Sequence, residues 1–278
     1  MRPREMLKFT NLDRETPQKR VAQTRIADFQ EIYQRFDFGK ASAQASRCSQ
    51  CGVPFCQFHC PLTNDIPDWL RLTAEGRLKE AYALSSATNN MPEICGRICP
   101  QDRLCEGSCV IEQSGHDTVT IGAIEQYITE NAWANGWVEP IATGRSNGRS
   151  VGIIGAGPAG LAAAEELRKA GVEVVIYDRY DRAGGLLIYG IPDFKLQKEI
   201  VARRIARLEE AGVEFCMNFE VGRDISLSEI RDLHDAVLIA TGVYQSRDLG
   251  IEGEDADGVV AALDYLTASN RKCLGDAV

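Results

Sequence analysis

Val151-Gly-Ile-Ile-Gly155-Ala-Gly157-Pro-Ala-Gly160 decides the fold of the second half of this 278-residue chain. An apolar, β-branched run enters a Gly-x-Gly-x-x-Gly turn, and strong helix formers follow. The three glycines serve different ends. Gly155 permits the tight turn, Gly157 lets the backbone approach a pyrophosphate, and Gly160 allows close strand–helix packing. The helix N-terminus then offers unpaired N–H groups and partial positive charge to phosphate. An acid closes the next apolar run: Asp178, 18 residues after Gly160, is placed to accept a ribose hydroxyl. A βα turn without a ligand needs only part of this set.

Around this turn, strands are predicted at 150–154, 172–178, 213–219 and 236–240, with helices at 158–169, 197–211 and 227–233. Gly171 suits the end of the first of these helices. Alternating strands and helices imply a parallel, doubly wound sheet. Upstream, the small polar segment 142–150 reads as a linker. Before it the pattern is helical: one helix within 17–38 (Val21, Ile26, Phe29, Ile32, Tyr33, Phe36), one starting near Asp65–Pro67 and carrying Leu70 to Leu84, and one over 121–133.

The helical half holds eight of the ten cysteines, as Cys48-x2-Cys51-x4-Cys56-x3-Cys60-Pro61 and Cys95-x3-Cys99-Pro100-x4-Cys105-x3-Cys109. Thiolates two to five residues apart can converge on one face of an iron–sulfur cluster, and a Cys before Pro ligates the other cluster in two-cluster ferredoxins. Structural zinc more often uses two C-x2-C knuckles, and only Cys48 and Cys51 form one. Disulfides are disfavoured in a reducing compartment. His59 receives no role, Cys216 reads as a small buried residue of a strand, and Cys273 has no partner group.

Charge narrows the function classes. The chain has 31 Lys plus Arg against 40 Asp plus Glu, a net charge of −9, which disfavours nucleic acid and anionic membranes as partners. No apolar run nears the ~20 residues of a membrane span, and the first residues lack a secretory signal's apolar core, so a soluble cytoplasmic protein is expected. No Ser/His/Asp or paired-carboxylate arrangement is discernible.

Further signals concern the cofactor. Gly184-Gly185-Leu186 follows the acid and Ile239-Ala-Thr241-Gly242 closes a later strand, a pair that resembles the two-dinucleotide-binding flavoproteins, whose first site holds FAD. Cysteine groups followed by this loop, with Asp181-Arg-Ala-Gly-Gly-Leu-Leu-Ile-Tyr-Gly-Ile-Pro192 and Leu263-Asp-Tyr-Leu-Thr-Ala-Ser-Asn270, resemble the family of small (beta) subunits of NADPH-dependent glutamate synthase. The same module occurs at the N-terminus of dihydropyrimidine dehydrogenase.

The resemblance implies a helical iron–sulfur domain over 1–145 and an FAD-binding, doubly wound domain over 149–278. FAD would be held by Gly155, Gly157 and Gly160, with Asp178 on the ribose, Gly184, Gly185 and Leu186 along the cofactor, Lys195 near it and Val221 by the adenine. Two [4Fe–4S] clusters with crossed ligands are implied: Cys48, Cys51, Cys56 and Cys109 for one, and Cys60, Cys99 and Cys105 for the other. The last ligand of the second is Cys95 by spacing. The family pattern of the dihydropyrimidine enzyme places a glutamine at the position of Glu125. The family's second Gly-rich loop, for NADPH, lies beyond Val278, so the chain is expected to be an N-terminal portion whose NADPH site is elsewhere. Electrons would pass from NADPH through FAD and the clusters to a large (alpha) subunit that makes glutamate from 2-oxoglutarate and glutamine. A related reductase serving a pyrimidine-reducing subunit or a ferredoxin, and a zinc-bound interaction module, are the alternatives.

Overall fold

A computed structural model describes residues 6–277, and the chain divides into two compact units, Met1–Glu139 and Pro140–Val278. The first is helical: α1 (Ala22–Asp28), α2 (Phe38–Ala45), α3 (Phe55–Phe58), α4 (Ile66–Ala74), α5 (Leu78–Ser85), α6 (Pro92–Ile98) and α7 (Ile121–Ala134). Its core joins Trp69 and Leu70 of α4 to Ile124 and Ile128 of α7. Cys48 is buried there, with Cys56, Cys60, Cys105 and Cys109 packed against the cluster. Asn64 braces this core. Its amide donates to the Ser85 carbonyl at 2.7 Å, and its oxygen accepts the Trp69 indole N–H at 2.6 Å.

Two helical expectations fail here. The segment 17–38 is not one helix, because α1 ends at Phe29, whose φ is +53°. Its flanks then pair: Arg20 N–H donates to Ile32 O at 2.8 Å and Gln34 N–H to Gln18 O at 2.8 Å. Val21, Ile26 and Phe29 are exposed, so their period marks no core face. The helix expected from 65 to 84 is split into α4 and α5 by Gly76, at φ +77°, a left-handed turn that a side chain would strain. Pro67 sits in the first turn of α4, where its missing N–H costs nothing.

The second unit contains β1 (Ser150–Ile154), α8 (Pro158–Lys169), β2 (Glu173–Tyr177), α9 (Leu186–Tyr189), α10 (Lys198–Glu210), β3 (Val213–Cys216), α11 (Leu227–Leu233), β4 (Ala236–Ile239) and α12 (Ala262–Cys273). The strands are parallel in the order β3-β2-β1-β4, the doubly wound arrangement. Ile153 and Ile176, paired across β1 and β2, are fully buried. Cys216 is exposed rather than buried: it ends the edge strand β3, and among the described residues no further strand lies beyond it to cover it. The helix α12 is not among the elements expected from the sequence. Among the described residues no helix is long and apolar enough to cross a membrane.

All three tryptophans, Trp69, Trp133 and Trp137, lie in the first unit, so indole fluorescence reports that unit alone. Asn64→Ala should lower its stability by about 2 kcal/mol, because the buried Trp69 N–H loses its acceptor. The check is the urea midpoint read by fluorescence, and an unmoved midpoint would refute this role.

Candidate functional site

Three polar side chains shape the first thiol group. Arg47, 1% exposed, sends its guanidinium to main-chain carbonyls of Leu12 (2.9 Å), Thr118 (2.6 Å) and Asp117 (2.6 Å), fixing the residue next to Cys48. Gln50 donates from its backbone and side-chain N–H groups to Cys48 Sγ at 3.4 Å each, and also to Pro67 O at 2.6 Å. The Ser49 hydroxyl lies 2.9 Å from Cys51 Sγ. Cys56 rides on α3. Together Cys48, Cys51, Cys56 and the distant Cys109 line one small cavity, walled on one side by Pro54 and Phe55. Burial pushes the Cys56 thiol up to about 12, with Cys48 and Cys109 adding to it, and burial raises Cys48 as well.

The second group is set by the crossing of α6 and α7. A Cβ on Gly96 would lie 2.8 Å from Gln126 N, and one on Gly122 would lie 3.0 Å from Gly96 O, so only glycines allow this approach. It lays Cys95 and Cys99 against Glu125. The Cys95 thiol bonds to Asn89 Oδ1 at 3.6 Å and to Cys99, which lowers Cys99 and raises Cys95. Cys60, Cys105 and Glu125 all face Cys99 closely enough to disfavour its charge. Glu125 is buried, and its carboxyl is raised well above the usual range, first by desolvation and then by Cys95. It accepts from Ser85 Oγ and Asn89 Nδ2 at 3.4 Å.

Glu106, beside Cys105, accepts the Gly122 N–H in the first turn of α7 at 3.0 Å and is paired with Arg14 at 2.7 Å. The structure thus brings Cys109 to the first three cysteines, and Cys60 to Cys95, Cys99, Cys105 and Glu125. Among the described residues no three His, Cys, Asp or Glu side chains close on a point that would hold a single ion. His59 is exposed and hydrogen-bonds through Nδ1 to Phe55 O.

In the second unit the loop between β1 and α8 is built by close contacts. Gly155 has φ +114°, and its N–H donates to Tyr177 O at 2.8 Å. A Cβ on Gly160 would collide with the Gly155 carbonyl. Gly184 N–H donates to Ala156 O at 2.8 Å, and a Cβ on Gly185 would lie 2.8 Å from Gly157 Cα. Gly157 itself caps α8, and a Cβ there would meet nothing within 4 Å. That open space, at the positive end of a 12-residue helix, is what a pyrophosphate requires.

Asp178 splints the loop: one oxygen accepts the Ala156 N–H at 2.7 Å and the other the Tyr180 N–H at 2.9 Å. Asp178, Gly155 and Val221 line a cavity of about 270 Å³ with Arg179, Tyr180, Phe219, Glu220, Thr241, Gly242 and Tyr244. The Arg179 guanidinium stands 5.1 Å from the Tyr180 ring centre and 4.8 Å from that of Tyr244. Sequence reasoning missed Arg179, Tyr180 and Tyr244. Asp178, Val221 and the Thr241-Gly242 signal pointed to the same cavity without naming them.

Leu186 opens α9 behind the Gly184-Gly185 turn. Lys195 is exposed and lines no part of the cavity. Three residues on, Lys198 is the buried lysine. Its ammonium donates to the Leu187 and Ile191 carbonyls, and burial lowers it to about 8.

Residues 25–137 match the family model described as dihydropyrimidine dehydrogenase domain II, 4Fe-4S cluster, and residues 149–273 match that of pyridine nucleotide-disulphide oxidoreductases. The chain is 63% identical to the glutamate synthase [NADPH] small chain of Azospirillum brasilense over 98% of its length and 57% of that protein's. It is 49% identical to the protein of the same name from Escherichia coli, over 96% of this chain and 56% of that one. The chain is thus similar over nearly its whole length to glutamate synthase [NADPH] small chains. It spans little more than half the length of those relatives. The putative oxidoreductase AegA of Escherichia coli is also 45% identical, over 93% of this chain and 39% of its own length, so the two-unit arrangement recurs outside the small chains. The two matches place a 4Fe-4S domain ahead of a pyridine-nucleotide oxidoreductase domain in this chain.

The glycines of the loop separate binding from folding. Gly157→Ala should leave stability within about 1 kcal/mol, since its φ of −78° suits any residue, yet should weaken dinucleotide binding at least tenfold. Gly160→Ala should lower the thermal midpoint of the second unit, because its Cβ meets backbone. Titration with FAD alongside melting of both variants tests the pair. Undiminished binding by Gly157→Ala would move the phosphates elsewhere.

Proposed function

We propose that this chain is the electron-relay part of a cytoplasmic glutamate synthase small subunit, with an iron–sulfur domain over 1–145 and an FAD-binding domain over 149–278. One [4Fe–4S] cluster belongs to Cys48, Cys51, Cys56 and Cys109. The other belongs to Cys60, Cys99 and Cys105, with Cys95 or Glu125 completing it. The observation that carries this reading is the regrouping of thiols, with Cys109 beside the first three and Cys60 beside the second group. Thiols ringing a space suit a cuboidal cluster better than a lone zinc ion, whose four ligands must close on a point.

Gly155, Gly157 and Gly160 would hold the pyrophosphate of FAD, and Asp178 and Val221 would take its adenosine in the cavity they line. Gly184, Gly185 and Leu186 back the pyrophosphate, and Lys195 stands at the surface nearby. NADPH is the donor, as in the name of the relatives. When bound, the flavin takes two electrons as hydride and gives them up singly to carriers of one. The protein's share is to place these groups: Arg47 and Gln50 hold Cys48, the Gly96–Gly122 crossing holds Cys95 and Cys99, and Asp178 holds the loop. The acceptor is the synthase's large (alpha) subunit, which makes L-glutamate from 2-oxoglutarate and glutamine. The likeness to AegA supports a second reading, a reductase of the same build serving another acceptor.

Paired substitutions distinguish crossed from group-by-group ligation. With crossed ligands, Cys51→Ala plus Cys109→Ala strikes one cluster and leaves about four of about eight irons per chain. Cys105→Ala plus Cys109→Ala strikes both and leaves almost none. Group-by-group ligation reverses the two results. Iron and acid-labile sulfide, counted per chain after anaerobic purification, decide it, and a colourless parent protein would remove the reading altogether.

A further inference from the structure

From Cys48 through Asn64 the chain carries no Asp, Glu, Lys or Arg, although 26% of the whole sequence is charged. This uncharged run also turns large apolar side chains outward, as the segment of α1 does elsewhere in the first unit: Phe58 is 78% exposed, Val53 67%, Phe55 45% and Leu62 44%. Phe58 packs edge-on against His59 with ring centres 5.5 Å apart, so the patch is held in place by its own neighbours. Loss of charge together with exposed aromatic side chains is the composition of the buried centre of a protein–protein interface. It is not a surface that water favours.

The patch is continuous with the thiol cavity. Phe55 and Pro54 line the cavity of Cys48, Cys51, Cys56 and Cys109, and Phe55 is at the same time part of the exposed face. Phe55 is thus shared by the cavity wall and the exposed face. Charge narrows the occupant: a chain of net charge −9 with an uncharged face does not draw anionic lipid or nucleic acid.

We infer that the face of Val53, Phe55, Phe58 and Leu62 is the docking surface for the electron-accepting protein partner, which meets it with an uncharged apolar surface. The inference rests on the electron-relay reading and adds to it the place where the partner sits.

The test uses the full-length small chain, loaded anaerobically, and the large chain of the same synthase. Phe58→Asp with Leu62→Glu is compared with Phe58→Leu. Neither residue lines the thiol cavity, so iron, sulfide and flavin content and NADPH-driven reduction of ferricyanide should stay within twofold of the parent. Affinity for the large chain should fall at least 100-fold in the acidic double variant and less than threefold in Phe58→Leu. Unchanged binding by the acidic variant, with the parent competent, would overturn the docking surface and leave the relay reading standing. A parent that reduces ferricyanide but binds no large chain would overturn the relay reading and this inference with it. Loss of self-association instead of large-chain binding would assign the face to a second copy and refute the inference.

Discussion

Burial of thiols in an apolar helical core raises the cost of ionising them, and the first unit imposes that cost at Cys48, Cys56 and Cys105, on the carboxyl of Glu125 and, after the larger effect of its hydrogen bond with Cys99, at Cys95. Every one of these groups is an acceptor of positive charge that the apolar surroundings do not supply. A bound cation draws the protons off outright and turns a desolvation penalty into ligation energy. The packing of the unit follows from this. Arg47 spends its donors on main-chain carbonyls, and Gln50 directs two N–H groups at one sulfur, so the frame is rigid before any charge is introduced.

The second unit obeys a different constraint, which is steric. Gly155 and Gly160 are required by the protein itself, since side chains there would strike Ala240 and Gly155 carbonyls. Gly157 is required by nothing in the protein, because a Cβ at that position meets open space. The space beside it stays open at the N-terminus of α8, as the proposed pyrophosphate site needs. Asp178 links the two kinds of demand. Its oxygens hold Ala156 and Tyr180 in place, and its remaining lone pairs face the cavity.

How much of this was legible depended on how local the determinants are. The strand–turn–helix of β1 and α8 could be read to the residue because its signals (an apolar run, fixed glycine spacing, Pro158 in the first turn) lie within twenty positions. The cysteine spacings announced metal chemistry equally well. What spacing cannot show is which sulfurs meet after folding: Cys109 joins Cys48 only because the core of α4 and α7 brings them together. Cys216 was misplaced because a strand pattern does not say that the strand is an edge. Lys195 was placed by the resemblance alone, while the lysine that the fold buries is Lys198, held by carbonyls of α9 and the turn that follows it.

The segment 17–38 shows why periodicity misled. Its apolar residues recur at helical spacing, but the energetic anchor is polar. Arg97, between Cys95 and Cys99 and with its side chain only 2% exposed, pairs with Glu31 at 2.6 Å and with Glu130 of α7 at 3.1 Å, and also donates to Glu93 O. A buried guanidinium left without either carboxylate would cost several kcal/mol, more than the propensity of one exposed helix, which sums only tenths per residue. Glu31 therefore has to reach Arg97. The chain does so by ending α1 at Phe29 and returning through the Lys19–Tyr33 bridge. The same guanidinium that bends this segment also ties α6 to α7, so the position of the second thiol group and the failure of the helix have one cause.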